Sequence, residues 1–82
     1  METPQTIRRF IVDNFLFGDD NGIDENSSFL ENGVIDSTGV LELVEFLENT
    51  FQIHVEDEEL IPENLDSIAA VVSYLERKRN GN

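Results

Sequence analysis

The chain has 82 residues, enough for one small domain, and its 39% hydrophobic content supports a core and argues against wholesale disorder. It has no cysteine, which excludes disulfides and thiolate metal sites, and its formal net charge is −13. Its five basic residues, Arg8, Arg9, Arg77, Lys78 and Arg79, lie near the ends, and all 18 acidic residues except Glu2 fall between residues 10 and 76. Such a surface repels nucleic acid and anionic membrane and favours proteins with basic patches.

Taken in chain order, Thr3-Pro4 reads as a helix start, with Thr as N-cap and Pro at the first helical position. Ile7, Phe10, Ile11 and Phe15 follow at helical spacing, and Gly18 supplies a stop. The run GDDNGIDENSSFLENGVI, from Gly18 to Ile35, is rich in turn formers and predicts a long loop anchored by Ile23, Phe29 and Leu30. A second helix is expected from near Asp36 to about Phe51. Val40, Leu43, Val44, Leu47 and Phe51 fall within roughly 60° of one direction on it and predict the buried stripe. Thr38, Glu42, Glu45 and Asn49 point the other way, Leu41 and Glu48 lie on one flank and Phe46 on the other.

The stretch VEDEELIPENL predicts a short helical turn closed by Pro62. A last helix follows, with Asp66 as N-cap, Ile68, Val71, Val72 and Leu75 as its apolar face, and Arg77, Lys78 and Arg79 favourable at its negative end. No strand-like alternation interrupts this pattern. The expectation is an all-α single domain spanning residues 1–82, with an ordered core of about residues 4–78. It comprises three main helices and one short one, with the long loop between helices one and two.

Conventional catalytic constellations are nearly absent. His54 is the only histidine, so no histidine pair can bind a metal or relay protons, and there is no glycine-rich phosphate loop. DDNGIDENSS suggests calcium at first. With Gly22 at the sixth position of an EF-hand loop, however, Phe17 takes the first ligand position and Ser28 the place of the bidentate Glu. No metal site is expected. No apolar run approaches the ~20 residues that span a bilayer, and METPQTIRR lacks the apolar segment of a secretory signal. The expectation is therefore a cytoplasmic monomer without a membrane span.

Ser37 remains. Asp36 alone satisfies the N-cap of the second helix, so a capping role leaves an exposed hydroxyl at the anion-attracting end of that helix unexplained. No histidine lies near in sequence to make it a catalytic nucleophile.

The stretch from Gly33 to Phe51 resembles the modification site of acyl carrier proteins, where an Asp-Ser-Leu triplet opens the second helix and the serine bears 4′-phosphopantetheine. Asp36 and Ser37 match the first two places, and VLELVEFLENTF continues as that family's second helix does. The order of helices, the long loop and the acidity extend the resemblance over nearly the whole chain.

The resemblance implies a carrier rather than an enzyme, with a covalent 4′-phosphopantetheine arm on Ser37 presenting acyl thioesters to a fatty-acid-like, polyketide-like or other specialised pathway. It further implies as partners a phosphopantetheinyl transferase and acyl-loading ligases or synthases with basic docking patches. These would read Asp36, Thr38, Leu41, Glu42, Glu45 and Glu48. Two alternatives stand beside it: an aminoacyl or peptidyl carrier served by an adenylating ligase, and an acidic helical adaptor without cofactor. Two positions depart from the family pattern. Thr38 replaces the usual Leu, and Gly39 follows at a cost of roughly 0.5–1 kcal/mol relative to Ala in a helix. Both imply a specialised carrier with dedicated partners. The phenylalanines Phe10, Phe15, Phe29, Phe46 and Phe51 further suggest a filled core and a short or polar cargo.

Overall fold

The structure, a computed structural model, describes residues 3–16, 18 and 24–79. The expected anchor Ile23 and the centre of the rejected calcium loop lie outside the described residues. Four helices form: α1 (Thr3–Phe15), α2 (Ser37–Phe51), the short α3 (Pro62–Leu65) and α4 (Ile68–Arg79), with a 3₁₀ turn at Asp57–Glu59. No strand occurs among the described residues. The all-α bundle of three main helices and one short one is as the sequence implies.

The core is built where the helical periodicities converge. Ile7 and Ile11 of α1, Leu43 and Leu47 of α2, and Ile68 and Val71 of α4 are completely buried. Phe29 and Ile35 enter from the long loop, Val55 from the segment after α2, and Leu65 from α3. The stripe of α2 is narrower than its pattern suggests: Val40, Val44 and Phe51 pack against this core only partly buried, whereas Gly39 is buried. Leu30, expected as an anchor, is instead 48% exposed. Its neighbour Phe29 occupies the buried position, and a reversal of the chain at Gly33 (φ +69°) follows.

The turn formers of the loop are used in holding it. Asp24 accepts the N–H of Asn26 on Oδ1 and that of Ser27 on its carbonyl, closing a local turn. The Phe29 N–H donates to the Asp66 carbonyl (2.7 Å), and the Ala69 N–H donates to the Glu25 carbonyl (2.8 Å). The loop is thus tied to the α3–α4 junction.

Two caps differ from expectation. Ser67, not Asp66, caps α4 by accepting the Ala70 N–H (3.1 Å). The Asp66 carboxylate turns instead to the loop, accepting the Leu30 N–H (2.9 Å) and the Ser28 hydroxyl. Pro62 does not close the preceding turn; it opens α3 from the first helical position, where its missing N–H costs nothing. Gly18 stands past the end of α1 at φ +85°, its N–H reaching back to the Val12 carbonyl.

The 3₁₀ turn is pinned to α4 by Glu59. Its carboxylate accepts the Glu56 N–H, the Tyr74 hydroxyl and the Lys78 ammonium at 2.8–3.0 Å. The Glu56 N–H bond, followed by the Lys78 contact, lowers its pKa to about 2. Burial first, and then the Glu59 carboxylate, pushes the Tyr74 phenol above its ordinary value.

Candidate functional site at the mouth of the second helix

The Asp36 side chain, in extended backbone before α2, accepts the Gly39 N–H at 2.8 Å, and its carbonyl accepts the Val40 N–H at 3.0 Å. Ile35 and Val40, one residue before the cap and four after it, line the same groove, an apolar pair that fixes the entry of the chain. Ser37 is therefore the first helical residue, and its cap duty is already taken by Asp36. Ser37 and Thr38 are exposed. Among the described residues the Ser37 hydroxyl makes no hydrogen bond, and the N–H groups of Ser37 and Thr38 have no acceptor. This mouth offers a free hydroxyl beside two free N–H groups at the positive end of a fifteen-residue helix. A phosphodiester on that oxygen fits the donor set.

Among the described residues no base attends Ser37. The carboxylate of Asp36 is turned to Gly39, and His54 lies beyond the far end of α2, about 20 Å away by helical rise. His54 sits 3.5 Å from the carboxylates of Glu48 and Glu56.

Of the residues expected to meet partners, Asp36, Thr38, Leu41, Glu42 and Glu45 are exposed. Leu41 is 61% exposed and stands one helical turn after Ser37, an apolar side chain in reach of whatever approaches that hydroxyl. Glu42 and Glu45 carry no ion pair among the described residues. Glu48 is different: half-buried, it accepts the Val55 N–H at 2.9 Å and so holds the chain as it leaves α2. The basic residues of α4 are engaged within the bundle, Arg77 on Asn64, Lys78 on Glu59 and Arg79 over the Phe51 ring. Among the described residues, Glu42 and Glu45 on the outward side of α2 are left without a cationic partner.

The two flanks of α2 are unlike. Toward α1, Phe46 stacks on Phe10 (4.1 Å between centroids, 13° between planes), while Phe15 and Phe51 meet these rings edge-on. Toward the loop and α3 lies an apolar groove of about 230 Å³, lined by Phe29, Leu30, Ile35, Val40, Leu60 and Ile61, with Asp66 at its wall. The helix mouth at Asp36 and Ser37 is legible in the sequence; this groove and the latch of Asp66 are not. Their parts come from three separate segments, and the only local signal is the apolar pair Leu60-Ile61.

Comparison with known proteins agrees with the fold and narrows the family. An "Acyl carrier protein" of Helicobacter hepaticus is 34% identical over 79 residues, covering 96% of this chain and all of that relative. An "Acyl carrier protein" of Akkermansia muciniphila is 37% identical over 73 residues, 89% of this chain and 88% of its own. The "Probable acyl carrier protein PigG" of a Serratia species is 27% identical over 67 residues, 82% of this chain and 77% of its own. No family model matches. A solved structure titled "Crystal structure of FAD-dependent dehydrogenase" superposes with a TM-score of 0.75 over 84% of this chain and 97% of that one. At 23% identity it shows shared fold alone.

Proposed function

The chain belongs to the acyl carrier protein family, a family of carriers and not of enzymes, and on that premise we propose that Ser37 carries 4′-phosphopantetheine and presents acyl thioesters from the mouth of α2. The observation that carries the proposal is the division of labour at that mouth. Asp36 does the capping, which leaves the Ser37 hydroxyl exposed and unbonded beside two unpaired N–H groups. When bound, the arm supplies the thiol that this cysteine-free chain lacks. The chain's own residues hold the attachment oxygen at the surface, place positive N–H dipoles by the phosphate, and display carboxylates around it.

Partners in this reading are a phosphopantetheinyl transferase and loading or synthase enzymes with basic docking patches. Glu42 and Glu45 provide unpaired charge for them, and Leu41 provides an apolar contact one turn below Ser37 where Thr38 provides none. Glu48, occupied with Val55, is a weaker candidate for this face than the sequence suggests. The Asp-Ser-Thr-Gly opening favours a specialised pathway with a dedicated partner, an aminoacyl-loading ligase included.

The test is incubation of the full chain with coenzyme A and a transferase, followed by intact mass. A gain of one phosphopantetheinyl group is expected. No gain with several transferases would overturn the proposal in favour of a cofactor-free adaptor. Glu42→Lys and Glu45→Lys, which should alter stability by less than about 0.5 kcal/mol, are expected to slow modification at low salt, the loss shrinking as salt is added.

A further inference from the structure

Gly39 sits in the first turn of α2, two residues after Ser37, and is buried. Its backbone does not need glycine: the glycines with positive φ among the described residues are Gly18 and Gly33. What needs glycine is the space. A Cβ on residue 39 would lie 2.9 Å from Ile35 Cγ2, 2.9 Å from Phe15 Cε1 and 3.4 Å from Asp36 Oδ1. Carbon atoms settle at about 3.5–4.0 Å, so α2 begins closer to Ile35 and Phe15 than any residue with a Cβ permits.

The two neighbours differ in how far they can yield. Phe15 is half-buried, and its ring end can swing. Ile35 is 3% exposed, and its Cγ2 branches directly from Cβ, so relief there moves the backbone that leads into Asp36. That backbone is also tied back to the loop, the Ile35 N–H meeting the Phe29 carbonyl.

We propose that Gly39 is a positioning residue: by lacking a Cβ it seats the first turn of α2 against Ile35 and Phe15 and so sets where Ser37 stands. The proposal rests on the reading of Ser37 as the attachment residue. Further along α2, Leu43 and Leu47 are completely buried and hold the helix independently of its first turn. A methyl group at residue 39 therefore tilts the mouth, or breaks the bond from the Gly39 N–H to Asp36, while Glu42 and Glu45 stay where partners would grip them. Docking is preserved and the hydroxyl is misplaced. Helix propensity acts in the opposite direction, because Ala forms helix better than Gly, and offsets part of the overpacking cost.

Three full-length proteins test this: the wild type, Gly39→Ala, and Gly39→Ala combined with Ile35→Leu and Phe15→Leu, which remove the two obstructing atoms. Amide chemical shifts of residues 37–40 report the seat, and transferase kinetics with coenzyme A report the hydroxyl. For Gly39→Ala the mouth amides should shift and kcat should fall roughly ten- to a hundredfold, as an ångström-scale misplacement does. KM should stay within about twofold, and the loss of kcat should persist at temperatures well below the melting of the variant, where it is fully folded. The relieved triple variant should recover most of kcat. Wild-type kcat in Gly39→Ala, unmoved mouth amides, or a rate loss that merely follows a falling melting temperature would overturn the proposal. If the wild type takes no phosphopantetheine, the reading of Ser37 fails, and the amide shifts alone then decide the seat: displaced, it stands; unmoved, it falls.

Discussion

The two flanks of α2 show how one amphipathic helix serves two purposes. On the α1 side, Phe46, Phe10, Phe15 and Phe51 form a continuous aromatic contact, and what remains above it is a shallow polar depression bordered by Asn14, Glu42, Glu45 and Asn49. On the other side, Val40 looks into an apolar groove whose wall is a loop and a four-residue helix. One flank is closed by rings and faces water with charge. The other is closed by hydrogen bonds at a distance and leaves Leu30 and Ile61 48% and 42% exposed. The first flank fixes α2 in the bundle. The second leaves apolar surface uncovered.

This contrast can be broken by mutation. Phe46→Ala should destabilise the fold by about 2–3 kcal/mol, below the range for fully buried phenylalanines because the ring is only partly covered. Ile61→Ala on the open flank should cost less than about 1 kcal/mol. Urea unfolding of both variants checks the pair, and equal losses would erase the distinction between the flanks.

A smaller effect is expected at the latch. Asp66→Ala leaves the Leu30 N–H and the Ser28 hydroxyl without their acceptor, at a cost of about 1–2 kcal/mol. Amide exchange should quicken at Leu30 more than at Leu43, confining the change to the open flank.

A further effect depends on pH. Glu59 holds the 3₁₀ turn that leads into Leu60 and Ile61, and its pKa lies at about 2 against an ordinary 4.5. A depressed carboxylate contributes stability that is fully present above its unfolded value and is lost as pH falls through the folded one. Acid should therefore weaken the open flank between about pH 4.5 and pH 2, and Glu59→Gln should flatten that part of the stability curve. An unchanged slope in the variant would show that Glu59 does not hold the turn.

What could be read from the sequence follows from distance along the chain. The Asp36 cap, the fully buried Leu43 and Leu47, and the exposed Ser37 are local facts, set by spacings of three and four residues. Phe29 is the loop's anchor as its pattern suggests, but Leu30 beside it is not, since a loop has no periodicity to choose between neighbours. Asp66 reads as a cap because capping is the local use of Asp; its actual partners lie 36 and 38 residues away. Gly39 reads as a weakness of the helix until the positions of Ile35 and Phe15 show that nothing larger fits. Glu48 has the spacing of an outward carboxylate, yet it is drawn in by an N–H seven residues on.

The proposed function stands on attachment of the arm at Ser37. The direct measurement is fragmentation mass spectrometry of the transferase-treated chain, run beside Ser37→Ala and Thr38→Ala. Phosphopantetheine is expected on Ser37 alone, none on Ser37→Ala, and modification retained in Thr38→Ala. An arm found on Thr38 or any other hydroxyl, or undiminished modification of Ser37→Ala, would contradict it.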